Sequence, residues 1–374
     1  MIDVRWQEAR RVLVVRLDNL GDVLVTTPAI HAIKRSLPEA HVTLLSSALG
    51  AQAGRLNPDV DDVLVHEAPW MDPWRRLPQD PEREMRAIAG LRDGRFDAAV
   101  IFSSFRQSPL PAAYLCYLAG IPLRLAASID GPGSLLTTRH KRPPGIMHEV
   151  ELGLDLVGAV GLETDELDLV LRVSGEDLRS AVDILPPRTG PVIVVHAGCT
   201  MPARTYPWEM FAQVADLLVE RLNAIVVLTG SDGERDLVSA IRERMLYDAI
   251  DLAGAAAFPV FCGVVQCADL VITNNTGPMH VAAAVKTPVV ALFALTNPPE
   301  QWGPWRVPHR QLFHDVPCRI CYSRVCPYEL ECLRYVTPNK VTAAAAELLG
   351  EGRRGAHDYE RPEPLAVGTG GVIR

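Results

Sequence analysis

Three short stretches of this chain place polar groups where they could act on a phosphorylated substrate. The first, RLDNLGDVLVTTPA, runs from a buried strand through Asp18, Asn19, Gly21 and Asp22 into a helix. Gly21 permits a tight turn, and Asp22 falls in the first helical turn, where the amide dipoles favour a carboxylate. From the residues alone, Asp22 is either a group with a chemical role or a helix-start carboxylate without one. Pro28 should kink or shift this helix unless it lies in the first turn.

The second stretch, DLVITNNTGPMHVAAAVKTPVVALF, is the strongest local feature. A strand ends in Asn274, Asn275, Thr276 and Gly277, and a small-residue helix opens at Pro278. Proline at a helix start with glycine before it leaves free N–H groups pointing outward, which suits a diphosphate. The third, HAGCTMPARTYPWEMF, follows another strand. Its small residues, Cys199 and Thr200 among them, open backbone amides, and Arg204 adds a fixed positive charge. A surface loop with a solvated arginine is the competing reading. The loop GSDGERD after Thr229 reads as a simple capped connection.

Cys318, Cys321, Cys326 and Cys332 have the spacing C-x2-C-x4-C-x5-C. That is compact enough for a four-thiolate structural zinc site, though not a common finger spacing. Unligated thiols or a partial disulfide are the alternatives. Cys116, Cys199, Cys262 and Cys267 read as small buried apolar residues.

These stretches need rigid elements to position them. Val12–Arg16, Val42–Ser46, Val63–His66 and Phe96–Phe102 are expected strands, with helices over Val23–Leu37 and Pro109–Ala119. In the second half Val192–Val195, Ala224–Thr229, Leu270–Thr273 and Val289–Phe293 are near-continuous apolar runs, as parallel strands covered on both faces require. Helices are expected over Trp208–Leu222, Gly233–Met245 and Pro278–Val285. This alternation implies parallel sheets with right-handed crossovers. A Pro/Gly cluster closes the segment 173–190, so residues 1–185 and 186–349 are expected to form two α/β domains facing across a cleft. Ligands should then lie beyond the carboxyl ends of the strands. Glu67–Glu84 reads as a long loop, Arg139–Pro144 as a solvated basic loop, and 350–374 as a disordered tail. The loop Thr296–Trp305 either covers a base or sugar or packs between domains.

The bulk properties narrow the function. The chain has 374 residues, 48% of them apolar and 22% charged, which fits a folded protein of two domains. A net charge of −8 argues against general nucleic-acid binding, which needs a basic footprint. No signal-peptide core and no membrane span is evident, so a cytoplasmic protein with reduced thiols is expected. The glycine fingerprint G-x-G-x-x-G is missing, which speaks against a dehydrogenase.

Taken together, RLDNLGDVLVTTPA, HAGCTMPARTYPWEMF and NNTGPMHVAAAVKTPVVALF, in this order and separation, resemble glycosyltransferase family 9, the heptosyltransferases of bacterial cell-surface synthesis. The resemblance covers roughly residues 11–349. It implies a GT-B fold, two Rossmann-like doubly wound domains, with an acceptor-binding N-terminal half and a nucleotide-sugar-binding C-terminal half. It also implies an inverting transfer from a donor such as ADP-heptose to a glycan or glycolipid hydroxyl, with no catalytic metal. Carried over residue by residue, Asp22 becomes the general base and Arg204 stands where the family has a phosphate-binding lysine. Thr276, Gly277, Pro278, Met279 and His280 would hold the diphosphate, with Thr200 beside them, and Arg16, Asn19 and Gly21 fall on the acceptor side. Asn275 stands where an aspartate is frequent, and Ala197 where a proline is, so the donor sugar is left open. The basic loop and the Trp70–Trp74 region are where a phosphorylated glycolipid at a membrane surface would be met. A nucleotide-sugar epimerase or hydrolase, or a non-catalytic binding protein, are the rivals on the same fold.

Overall fold

A computed structural model of the chain describes residues 2–71, 76–104 and 107–355. The N-terminal half runs α1 (Val4–Gln7), β1 (Arg11–Arg16), α2 (Leu20–Ser36), β2 (His41–Ser46), α3 (Ala48–Gly54), β3 (Asp62–Val65), α4 (Pro81–Asp93), β4 (Ala98–Ile101), α5 (Leu110–Leu118), β5 (Leu123–Ala127), β6 (Thr138–His140) and α6 (Glu149–Gly158). Then follow α7 (Gly175–Ile184), β7 (Val192–His196), α8 (Trp208–Leu222), β8 (Ile225–Thr229), α9 (Arg235–Arg244), β9 (Ile250–Asp251), α10 (Phe258–Cys267), β10 (Leu270–Asn274), α11 (Gly277–Ala284), β11 (Val289–Leu292), α12 (Pro299–Trp302), β12 (His309–Leu312), α13 (Glu331–Arg334) and α14 (Pro338–Gly355).

Two six-stranded parallel sheets result, ordered β3-β2-β1-β4-β5-β6 and β12-β11-β10-β7-β8-β9. Both have the doubly wound strand order, in which the chain reverses direction between β1 and β4 and again between β7 and β10. The strand sequences explain the layering. VLVV of β1 and VIVV of β7 are buried on both faces, so helices must cover each side. The two α/β halves expected from the strand–helix alternation are thus present.

Several expectations are corrected. Glu67–Glu84 was expected to be a long loop, but α4 begins within it at Pro81, capped by Asp80. Trp74 lies outside the described residues. Helix α14 continues to Gly355 where a disordered tail was expected from 350, and 356–374 are outside the described residues. The segment Arg139–Pro144 is not a solvated loop: it enters β6, Arg139 donates to the Ser128 and Ile129 carbonyls, and His140 pairs with Asp155 at 2.6 Å. Helix α7 precedes the boundary expected at 185/186, yet it packs on α10. A Cβ on Gly263 would come within 2.9 Å of the Ala181 Cβ.

Pro28 does not interrupt α2. It stands in mid-helix, where it supplies no amide for the Leu24 carbonyl. The Thr27 hydroxyl donates to that carbonyl at 2.7 Å, and the same oxygen accepts from the Val170 amide at 2.8 Å. One buried hydroxyl therefore satisfies two backbone groups. Thr27→Val keeps the shape and removes both bonds. We expect it to lower unfolding free energy in urea by about 1–3 kcal/mol, with Thr27→Ser retaining most of the wild-type value.

Candidate active site

The N-terminal half of the site is built at its switch point, from the ends of β1 and β4. Arg16, the last residue of β1, is only 2% exposed. Its Nε lies 3.0 Å from Asp18, and one terminal nitrogen lies 3.1 Å from Asp22 Oδ1 and 3.8 Å from Glu149 Oε2. That nitrogen also donates to Ser104 Oγ at 2.8 Å, and Ser104 in turn donates to Asp22 Oδ1 at 3.1 Å. Asp22 Oδ2 accepts from the Asn19 amide at 3.2 Å, closing the start of α2. Gln107 locks the loop after β4, donating to Asp18 at 2.7 Å while accepting from the Ser104 amide.

Burial works against the charge on Arg16, but Asp18, Asp22 and Glu149 more than offset it and raise its pKa. Asp18 pays for the arrangement: burial pushes its pKa up to about 6 despite Arg16, with Asp22 pushing the same way. Glu149 is raised for the same reason, burial opposed by Arg16 and Arg142. Arg142 donates to the Ser103 carbonyl, and burial lowers its pKa. Arg16, expected on the acceptor side, is therefore the buried counter-ion beneath Asp22. Asn19 is exposed at the helix mouth.

The C-terminal half uses the ends of β7 and β10. Arg204 lies in a short 3-10 turn, Pro202–Arg204, whose Nε donates to Thr296 Oγ1 at 2.9 Å. Among the described residues no carboxylate lies within ion-pair distance of it. Burial lowers its pKa, and the fields of Cys199 and Asp22 act in the opposite direction. Thr276 caps α11, and Thr276, Gly277 and Pro278 are partly exposed, as is Thr200 more fully. Met279 and His280 are buried. Cys199, expected as a buried apolar residue, sits partly exposed beside Thr276 and Arg204. Asn275 points inward: its amide donates to Asn297 at 3.0 Å and accepts from the Ala294 amide. Asn274 likewise braces the Tyr206 amide and the Ala197 carbonyl. These two asparagines hold the neighbouring loops together.

The two halves meet at these helix starts. A Cβ on Gly21 would fall 2.8 Å from His280 Cδ2, and one on Gly277 would fall 2.9 Å from Leu20 Cδ2. Glycine at 21 eases the approach of α2 to α11. Burial, aided by His148, drives the His280 pKa down to about 4, so its imidazole is neutral at pH 7. Its Nδ1 is buried without a partner. The Thr296–Trp305 segment packs between the halves. Gln301 donates to Glu149 at 2.6 Å, the Gly303 carbonyl meets His148 at 3.0 Å, and Trp305 donates to the Leu167 carbonyl while stacking on His148.

The sequence reading brought Asp22, Arg204 and residues 276–280 to this place. It named Asp18 without a role and missed Ser104, Gln107, Glu149 and His148. The polar run after β4 was a usable signal, since strand ends were the place to look; the glutamate opening α6 resembles any helix-start carboxylate. The four clustered cysteines are free thiols, and among the described residues no three His, Cys, Asp or Glu side chains are placed to hold a metal ion. The zinc site expected from their spacing is therefore unsupported. Cys326 instead accepts from the Tyr328 and Leu330 amides at 3.4 Å, which turns the loop.

Solved structures share this fold. The ADP-heptose lipopolysaccharide heptosyltransferase II of Escherichia coli superposes with a TM-score of 0.74 at 20% identity, over 92% of this chain and 99% of that one. An E. coli heptosyltransferase solved with ADP-2-deoxy-2-fluoro heptose superposes at 0.64 and 18% identity, over 90% and 99%. The architecture is thus that of a GT-B glycosyltransferase. The chain belongs to glycosyltransferase family 9 (heptosyltransferase), whose family model matches residues 85–331. Lipopolysaccharide heptosyltransferase 1 of Pseudomonas aeruginosa is 26% identical over 330 residues, 85% of this chain and 88% of that protein. Lipooligosaccharide heptosyltransferase 2 of Campylobacter jejuni is 30% identical over 152 residues, but that match spans about half of its length, 47%, and 39% of this chain.

The buried carboxylate at Asp18 makes stability depend on pH. Its folded pKa of about 6 lies above the unfolded value of about 4. Its contribution is therefore fully present below pH ~4 and lost as pH rises through ~6. Asp18→Asn should flatten the fall in thermal midpoint between pH 4 and 6, and should lose its advantage over wild type at pH 4.

Proposed function

We propose that this protein transfers heptose from ADP-heptose to a hydroxyl of a glycan or glycolipid, as in lipopolysaccharide core synthesis, with inversion at the anomeric carbon. The observation that carries the reading is the opposition of Asp22, at the start of α2, to Arg204, a cation with no carboxylate partner among the described residues, beside the start of α11. The solved relative with an ADP-heptose analogue supports an ADP-sugar as donor.

The acceptor hydroxyl oxygen attacks the anomeric carbon as the bond from that carbon to the diphosphate oxygen breaks. The electron pair leaves with ADP, and the hydroxyl proton passes to Asp22. Among the described residues Asp22 Oδ2 makes one hydrogen bond, to the Asn19 amide, which leaves a lone pair for the acceptor. Arg204 and the amide of Gly277, at the start of α11, receive the charge that develops on the diphosphate. Thr200 borders the same place, and Gly21 leaves room for close approach. An arginine in place of lysine offers the diphosphate a two-pronged donor. His280, neutral and buried, lines the junction without competing for the anion.

In this reading residues 1–185 bind the acceptor and 186–349 bind the donor, and the step as written calls on no cofactor. The enzyme works in the cytoplasm, and a glycolipid acceptor brings it to the inner membrane surface. No helix among the described residues is long and apolar enough to cross a membrane.

A calorimetric screen against ADP-, GDP- and UDP-sugars, with free nucleotides as controls, tests the donor. ADP-heptose should bind most tightly; selective binding of a GDP- or UDP-sugar would overturn that assignment. Arg204→Met should weaken donor binding about 10–100-fold, as loss of a charge-assisted pair to a phosphate does. Asp22→Asn should cut turnover by about 10²–10⁴-fold with donor affinity retained, and near-normal turnover would remove Asp22 as base.

A further inference from the structure

The segment from Cys318 to Cys332 takes no part in the transfer step as written, yet it lies against the donor-side cation. The Ala203 amide, in the turn that carries Arg204, donates to the Arg324 carbonyl at 2.9 Å. The Tyr322 amide donates to the Thr296 carbonyl at 2.9 Å, and the Cys321 amide to that of Leu295 at 3.3 Å. One loop thus holds the Pro202–Arg204 turn beside the segment that follows β11. Across that pairing two side chains meet: Arg204 Nε donates to Thr296 Oγ1 at 2.9 Å.

Thr296 is 2% exposed, so protein groups set the direction of its hydroxyl. That hydroxyl donates to Asn297 Oδ1 at 3.3 Å, and the same oxygen accepts from the Asn275 side-chain amide at 3.0 Å. Asn275 is held in turn, its Oδ1 accepting from the Ala294 amide at 3.2 Å. With its proton given to Asn297, the Thr296 hydroxyl keeps its lone pairs for Arg204. The bonds run in one direction, from the guanidinium to Thr296 and on to Asn297.

A guanidinium is planar and rigid, so fixing Nε fixes the direction of both terminal nitrogens. Among the described residues those two nitrogens make no hydrogen bond. An arginine loose on a turn would lose rotamer freedom on gripping a phosphate, and one already held loses less. A lysine has no N–H below its terminal ammonium, so this hold is particular to an arginine at 204.

We infer that Thr296 is a positioning residue: through Arg204 Nε it aims the terminal nitrogens of the guanidinium at the donor diphosphate, with Asn297 and Asn275 fixing its hydroxyl. This rests on Arg204 binding the diphosphate. It also gives the cysteine-bearing loop a part, as the frame that keeps Thr296 and the Arg204 turn together.

The experiment is calorimetry on the full chain with ADP and with adenosine, which lacks the phosphates. Thr296→Val keeps the shape and removes the acceptor. It should weaken ADP binding about 10-fold, the scale of a hydrogen bond to a charged group, and leave adenosine binding unchanged. Thr296→Ser, which restores the hydroxyl, should bind ADP as the wild type does. Added to Arg204→Met, Thr296→Val should weaken ADP binding no further, because the group it aims is gone. Unchanged ADP binding in Thr296→Val overturns the inference. So does an equal loss for adenosine, or a loss that adds in full to that of Arg204→Met, since a packing role would give either. If Thr296→Val does not fold, the wild-type Arg204 Nε proton decides, its NMR signal assigned by its loss in Arg204→Met. It should exchange with water more slowly than that of Arg86, whose side chain is 70% exposed, and exchange at the same rate overturns the inference. Wild-type ADP binding in Arg204→Met is a different failure, which removes Arg204 from the donor site.

Discussion

The site is organised around one buried guanidinium. Arg16 ends a strand that is apolar on both faces, so its charge has no route to water and must be met by protein. An unpaired charge there would be prohibitive, and a paired one is retained only if its donors are well used. Asp18, Asp22, Glu149 and Ser104 meet it from three directions: the β1–α2 turn, the start of α6 and the end of β4. Each of these segments is thereby tied to the others. The cost appears in the partners, since burial raises both Asp18 and Glu149 above ordinary carboxylates. An apolar core at this position would be at least as stable. What the ionic cluster supplies is an aspartate whose orientation is set by three donors, Arg16, Ser104 and the Asn19 amide.

Topology decides where this cluster faces its counterpart. In each sheet the strand order reverses at the first and fourth strands, and the connections leaving those strands diverge to open a crevice. Residues 18–22 and Ser104 leave the N-terminal crevice; residues 199–204 and 274–277 leave the C-terminal one. All four polar segments therefore stand at switch points, and the two crevices oppose each other. The starts of α2 and α11 point into the common space, each with the positive end of its helix dipole. Glycine at 21 eases that approach, since a methyl group there would overlap the buried His280 ring of the opposite half.

Much of this was legible in the sequence because it rests on local rules. Apolar runs of strand length gave eight of the strands, and the Asn-Asn-Thr-Gly-Pro run marked a helix start by its chemistry alone. The short or polar strands β5, β6, β9 and β12 were not legible, since LRLAA, TRH, ID and HRQL carry no sustained apolar period. Long-range pairing was equally hidden. Glu149 is 133 positions from Arg16, and nothing near it distinguishes a buried ion-pair partner from a helix-start glutamate. Pro28 shows the opposite failure. A local rule predicted a kink or shift, and the helix runs on past Pro28, with the Thr27 hydroxyl donating to the carbonyl that Pro28 leaves without an amide. Arg142 reads as part of a charged surface run, yet it is turned inward because α6 and the end of β4 close over it. Asn275 stands at a strand end by sequence, and its partners there, the Asn297 side chain and the Ala294 amide, lie some twenty positions away and were hidden.

The contacts between the halves also bear on how the site works. The polar ones are single: Gln301 to Glu149, Gly303 to His148, Trp305 to Leu167, and Lys286 and Arg306 to Asp168. The last pair is about half exposed, where an ion pair contributes at most about 1 kcal/mol. Such contacts can exchange for water at small net cost, unlike the apolar packing within each sheet, and interfaces of this kind permit relative motion. The exception is the small-residue contact of α2 with α11, which is tight but narrow. A ligand binding between the two helix starts would therefore act against a weak interface, and a modest difference in its affinity for the joined and separated forms is enough to shift their populations. The buried ionic cluster lies in the N-terminal half, and the Gln301 amide on its outer carboxylate, Glu149, is a contact that the C-terminal half makes with it.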